Sequence, residues 1–222
     1  MRIVRQSLAR WTLGICLIVP ALAFAQTEPA SLVAPDLPAA RTLSLMTSDA
    51  SAILNAEWRV MDARIVEVPA MEREVDTWPM AYDIDPHAGG SDYDDSDWPV
   101  ITAEELSTRR GGGRIFFTWY RTTITIPETI DGFQTAGSAV VLDLTVDDYC
   151  EVWVNGELPR QAGLPSPGTI QGFNVPARIL LSKETTPGEK IAIAVFGING
   201  PISLTPLNTV WFRQAKLEFI AP

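Results

Sequence analysis

Histidine occurs once in the 222 residues and cysteine twice. Beyond residue 25 no run of about 18 apolar residues could span a bilayer. Each scarcity excludes a class of function. A lone His87 cannot build a multi-histidine metal centre, and a catalytic triad would have to recruit that one residue. Two cysteines, one of them inside the amino-terminal apolar run, exclude a disulfide framework. Positive charge is also scarce: 17 Lys and Arg stand against 27 Asp and Glu, a net charge of −10. Nucleic acid and anionic lipid surfaces are poor partners for so acidic a body.

What is present first is a leader. Residues 1–10 are basic and without acids, residues 11–24 are apolar, and Ala23-Phe24-Ala25 is a small-x-small site. That order predicts a cleavable signal peptide over 1–25 and a periplasmic or secreted protein. The apolar run is short for a membrane anchor, and Cys16 lies within it rather than at a lipoprotein cleavage site. Cleavage would remove Arg2, Arg5, Arg10 and Cys16, leaving a still more acidic body with Cys150 as its one thiol.

Residues 26–56 are rich in Ala, Pro and Ser without a sustained period, and read as a tether with a short helix near 43–54. Ordered structure is expected from Trp58, in one domain over 57–222. Residues 63–68 alternate as a half-buried strand ending at Pro69. Residues 71–113 form a long acidic loop region, in which Trp78, Tyr82, Tyr93 and Trp98 favour an ordered loop that packs.

From residue 114 onward the pattern is β. Residues 115–126 form a strand closed by Pro127, and Val140, Leu142, Leu144 and Val146 alternate inward against Val141, Asp143 and Thr145. Cys150, Val152 and Val154 share a face, and Asn155-Gly156 supplies the positive φ angles of a tight turn. A hairpin-like stretch over 173–181, a Pro187-Gly188 turn and a central strand over 191–196 follow. The last strand places Trp211, Arg213, Ala215, Leu217 and Phe219 on one face. Short strands separated by turn residues predict an all-β, two-sheet sandwich with long irregular loops.

The segments Tyr93-Asp94-Asp95-Ser96-Asp97-Trp98, Trp119-Tyr120-Arg121, Thr125-Ile126-Pro127, Val146-Asp147-Asp148-Tyr149, Val152-Trp153-Val154-Asn155-Gly156 and Pro187-Gly188 occur in a familiar order. Over residues 58–220 the chain resembles the galactose-binding-like jelly-roll domain that precedes the catalytic barrel in family-two glycoside hydrolases. Tyr82-Asp83-Ile84-Asp85-Pro86-His87-Ala88-Gly89-Gly90 and the 194–203 stretch also resemble the sandwich found beside gluconolactonase-like β-propellers. The resemblance implies a domain that binds sugar or braces a separate enzyme, with the Asp-Trp and Asn-Gly elements largely structural. A chain of this size has no room for a propeller as well, so lactonase activity would need a partner. Fold analogy alone does not assign function.

Candidate ligand-binding residues are His87, Asp85, Tyr93, Arg110, Arg114, Asp148, Tyr149 and Asn174; no catalytic residue is assigned. His87 sits in a Pro- and Gly-flanked loop where it either meets a ligand or holds the turn. Asp83, Asp85, Asp92, Asp94, Asp95 and Asp97 could gather oxygen ligands for a structural calcium, although Asp97 and Ala103 stand where an EF-hand needs Gly and Glu. No other cofactor is expected, and solvated turn aspartates are the simpler account. Arg109, Arg110 and Arg114 bracket three glycines and could grip a carboxylate or phosphate, or merely form salt bridges with the acidic loop before them. Trp153, with Tyr149 and Glu151, is the best candidate for an exposed aromatic row unless a second packed layer covers it. Asp147 and Asp148 point apart as strand neighbours and make a poor acid/base couple.

Three functions stay open. The leading one is a non-catalytic module for a saccharide or sugar acid, seated in the 82–114 loops with Asp148 and Tyr149 nearby. The second is an accessory subunit docking to a separate gluconolactonase-like or glycoside hydrolase enzyme. The third is a small enzyme using His87 as acid or base.

Overall fold

The computed structural model describes residues 34–69, 81–112, 115–160, 166–170, 172–199 and 209–222, all within the compact unit Ser31–Pro222. Two antiparallel sheets pack face to face. The smaller runs in the order β1 (Arg41–Ser44), β13 (Trp211–Ile220), β8 (Ala139–Asp147), β11 (Ala177–Ser182). The larger runs β10 (Thr169–Ile170), β9 (Tyr149–Val154), β12 (Lys190–Ile198), β5 (Phe117–Thr125), β2 (Trp58–Val68), β3 (Ala81–Asp85), with β4 (Val100–Ile101) also on β2. A small hairpin, β6 (Thr129–Ile130) with β7 (Phe133–Gln134), lies apart. The fold is therefore the all-β sandwich that the alternation predicts.

Period-two alternation builds the space between the sheets. Val140, Leu142, Leu144 and Val146 from β8 meet Cys150, Val152 and Val154 from β9 and Ile191, Ile193 and Val195 from β12 in one buried cluster. Phe212 is fully buried there, edge-on to Trp58 (ring centroids 5.9 Å apart) and to Tyr120 (4.9 Å). Full burial of such side chains contributes about 1.5–3 kcal/mol each relative to exposure. The turns also follow the sequence. Asn155 and Gly156 take φ of 50° and 84°, and Val154 and Glu157 exchange backbone hydrogen bonds across them.

Four expectations change. The 71–113 region, expected as irregular loop, carries β3 and β4, both paired to β2, and a 3₁₀ turn over Glu104–Ser107, because backbone pairing does not depend on the Asp and Pro side chains that mark the region as loop. Within the expected tether, β1 pairs with β13, and α1 (Ser48–Leu54) follows it, with Leu43, Leu45, Ala50 and Leu54 in the core. Thr47 caps α1 by accepting from the Ala50 amide, and Asn55 closes it in the left-handed region. The helix falls within the expected 43–54 stretch; low apolar density hid β1, because a few well-placed side chains suffice at a sheet edge. Next, the 173–181 stretch is no hairpin of its own: β11 begins at Ala177 and pairs with β8. Last, Trp211 and Arg213 do not share the face of Ala215, Leu217 and Phe219. Phe212 pairs with Val146 and Gln214 with Thr145, so Arg213 is an extra residue that reverses the alternation. Phe212 thereby enters the core while Trp211 and Arg213 face out.

A candidate ligand cleft on the outer face

The larger sheet is buried on its outer face as well. Phe117 and Trp119 from β5, with Ala194, Phe196 and Ile198 from β12, form a second buried cluster that also holds Ala88 and Trp98. The cover is residues 86–99, a loop laid across the sheet as a strap.

Two strand arginines hold the strap. Arg121, buried beside Trp119, donates Nε to Asp95 Oδ2 at 2.7 Å and Nη1 to the carbonyls of Ala88 and Gly90. Arg59, its partner across the β2–β5 ladder, donates Nη1 to the carbonyls of Asp95 (3.2 Å), Ser96 (2.9 Å) and Trp98 (3.2 Å). A loop with no ladder of its own must satisfy its carbonyls somewhere, and a fixed guanidinium fork supplies several donors at once. The Trp119 indole adds a hydrogen bond to the Pro86 carbonyl at 2.9 Å. At Gly89 the strap passes so close to Trp153 that a Cβ would lie 2.6 Å from the indole ring, so only glycine fits without displacement.

Between the strap and the outer side of β2 lies an open cleft of about 670 Å³, lined by Met61, Asp62, Arg64, Asp85, Pro86, Tyr93, Asp94, Ser96, Asp97 and Trp98. Tyr93 packs on Trp98 (5.4 Å between centroids) and under the Arg121 guanidinium (5.3 Å), which fixes its ring. Arg64 donates to Asp85 Oδ2 at 2.6 Å, and Arg110 donates to Asp62 Oδ1 at 3.0 Å. Asp94 accepts from the Ser96 amide and is held below the usual carboxylate range by that residue's hydrogen bonds.

Of the sequence candidates, Asp85 and Tyr93 line the cleft, and Arg110 reaches its wall through Asp62. His87 is exposed beside it, Nε2 lying 2.9 Å from Asp83 Oδ2. That contact and the Ile84 amide hold Asp83 below its ordinary value. Tyr149 packs in the outer-face cluster, its hydroxyl donating to Glu151 at 3.2 Å, and burial pushes its pKa up to about 12. Asp148 adjoins Tyr149 at the start of β9, outside the cleft lining. Asn174 lies on a separate exposed turn at φ 59°. Arg114 lies outside the described residues.

The strap answers the question about Trp153: a second layer covers that row, leaving Trp153 half-buried. Three of the six aspartates are spent on anchoring, Asp83 with His87, Asp85 with Arg64, and Asp95 with both Arg59 and Arg121. Among the described residues no group of three His, Cys, Asp or Glu side chains converges as if to hold a metal ion. Sequence reasoning missed Arg59 and Arg121 as anchors. The available signal was a charged residue on a central strand whose neighbours are apolar, which demands a polar layer above it.

No protein-family model matches the chain, and no curated protein matches it. Among solved structures it is similar to a glycosyl hydrolase family 2 member from Bacteroides cellulosilyticus, with TM-score 0.49 and 12% identity over 81% of this chain and 20% of that one. It is similar to a calcium-binding mutant of Bacteroides uniformis β-glucuronidase 2, with TM-score 0.48, 15% identity, and 81% and 18% coverage. It is also similar to a β-glycosidase from Bacteroides vulgatus, with TM-score 0.47, 17% identity, and 81% and 20% coverage. The chain spans about a fifth of the length of these proteins. The first of these is a family-two glycoside hydrolase, the family whose sandwich domain the sequence resembles.

Proposed function

We propose that the chain is a non-catalytic carbohydrate-binding module whose ligand occupies the cleft between β2 and the strap. The observation that carries this reading is the cleft itself, an open recess of about 670 Å³ that sets the fixed Tyr93 ring beside the carboxylates of Asp94 and Asp97. An aromatic face suits the apolar C–H face of a pyranose, and carboxylates accept from its hydroxyls. The amino-terminal leader supports export to a periplasmic or extracellular space, where such a module would meet glycans. Among the described residues no helix is long and apolar enough to cross a membrane. Calorimetric titration with a panel of neutral oligosaccharides tests the reading. Binding that weakens roughly tenfold in Tyr93→Ala is expected, an effect within the range of one lost aromatic contact. No binding across the panel, or binding indifferent to Tyr93→Ala in a folded variant, contradicts it.

The accessory-subunit reading draws support from the end of β2, where residues beyond Ala63 pair with β3 alone and leave Ile65 and Tyr82 exposed. It predicts co-elution with a separately encoded lactonase-like or glycosidase enzyme, abolished by Ile65→Asp. The His87 reading has less support. Among the described residues no hydroxyl or thiol is hydrogen-bonded to His87, so no nucleophile is coupled to the His87–Asp83 pair. It predicts a turnover lost in His87→Ala.

A further inference from the structure

A ladder of alternating guanidinium and aromatic groups stands where β13 enters the sandwich. Arg109 lies 5.1 Å from the Trp211 ring centre, Arg213 lies 4.4 Å from the same ring, and Arg213 lies 4.8 Å from the Phe173 ring. The extra residue at Arg213 is what turns Trp211 and Arg213 outward together. Below them the buried Asp147 accepts on one oxygen from the Trp211 indole at 2.6 Å and from Arg213 at 2.8 Å. The middle of the ladder is therefore locked to the frame, and its charge is balanced.

Its ends differ. Among the described residues Arg109 forms no ion pair, although the chain carries ten more acidic than basic side chains. Its neighbour Arg110 is occupied by Asp62. Phe173 is 62% exposed and Val175 beside it is 45% exposed. A guanidinium paired with no described carboxylate and held on an indole that is itself anchored keeps its planar fork of donors for a ligand carboxylate at a lower ordering cost. An exposed aromatic ring fixed on its neighbour offers a face to a sugar ring.

We propose that this ladder is a second binding surface, separate from the cleft, and that it takes an acidic oligosaccharide: Arg109 grips a uronate carboxylate and Phe173 receives the C–H face of a sugar ring. The assignment rests on the ladder alone and stands or falls independently of the cleft.

Titration of an oligogalacturonate trimer and of its uncharged galactose counterpart into the intact protein tests it. The acidic trimer should bind and the uncharged one should not compete with it at this surface. Arg109→Ala should weaken the acidic trimer by roughly tenfold or more, with Arg109→Lys recovering part of the loss because a point charge replaces a fork. Phe173→Ala should weaken it by several-fold, and Tyr93→Ala in the cleft should leave it unchanged. Arg109 and Phe173 are both exposed, so these variants keep the fold, as thermal melting will verify. Absence of binding at millimolar acidic trimer, equal affinity of the Tyr93→Ala protein for the acidic and uncharged trimers, or acidic-trimer binding undiminished in Arg109→Ala would overturn the proposal.

Discussion

The two faces of the larger sheet are buried by different physics. Its inner face meets the smaller sheet through side chains alone, with Val152, Ile193 and Tyr120 interleaving with residues such as Phe212 and Leu144. Its outer face meets no sheet. There a loop supplies the cover, and a loop brings unpaired carbonyls that must be met by Arg59 and Arg121. Alternating apolar residues suffice to bury one side of a sheet against another sheet. Burying the second side under irregular chain takes polar anchors, and the anchors leave an open, carboxylate-lined seam at the strap's margin.

The comparison can be broken from the inside first. Phe212→Ala removes the ring that Trp58 and Tyr120 pack against and should cost about 3–5 kcal/mol, read as a lower urea midpoint for the whole domain. Arg121→Ala attacks the other face. It should cost about 2–3 kcal/mol from lost charged hydrogen bonds, yet the sandwich should persist. Hydrogen exchange should rise across 86–99 while β8 and β12 stay protected. Loss of protection in both sheets together would show that the strap is part of the core and not a separate layer. Gly89→Ala is a finer cut, because its Cβ would strike Trp153. Overpacking of this kind costs about 1–3 kcal/mol, and the Trp153 environment should change in emission while the inner core stays intact.

The smallest expected effect is in pH. Glu104 is held below the usual carboxylate range by backbone hydrogen bonds, its own first and then that of Ser48, with the Ser48 hydroxyl adding to them. Asp83 and Asp94 are lowered as well, through His87 and Ser96. A carboxyl whose folded pKa is depressed binds its proton more readily in the unfolded chain. Its contribution is present above the ordinary carboxylate range near pH 4 and is lost as pH falls through the folded value. Denaturation midpoints should therefore be flat from neutral pH down to about 5 and decline below 4. Glu104→Gln and Asp94→Asn should flatten part of that decline.

The same division explains what was legible before the structure. The inner face could be read because its strands alternate without interruption, as in Val140, Leu142, Leu144 and Val146. The Asn155-Gly156 and Pro187-Gly188 turns declared themselves by residue type. Edge strand β1 escaped notice because four residues of mixed character carry no period. The reversal at Arg213 escaped because an extra residue in a ladder is visible only against its partner strand. Of the site, Tyr93 and Asp85 were recognised as members of an ordered acidic loop. The cleft around them could not be read, because it exists only once Arg59 and Arg121 draw that loop over β2. Arg109 and Phe173 were split from Trp211 and Arg213 by distance along the chain, so the ladder had no linear signature.

Residue-resolved amide shift mapping during titration of a neutral oligosaccharide tests the central claim, that the seam between the strap and β2 receives the ligand, most directly. Saturable shifts centred on Met61, Arg64, Tyr93 and Asp94, absent in Tyr93→Ala, are the predicted result. Shifts centred elsewhere in the sandwich, or none across the oligosaccharide panel, would contradict it.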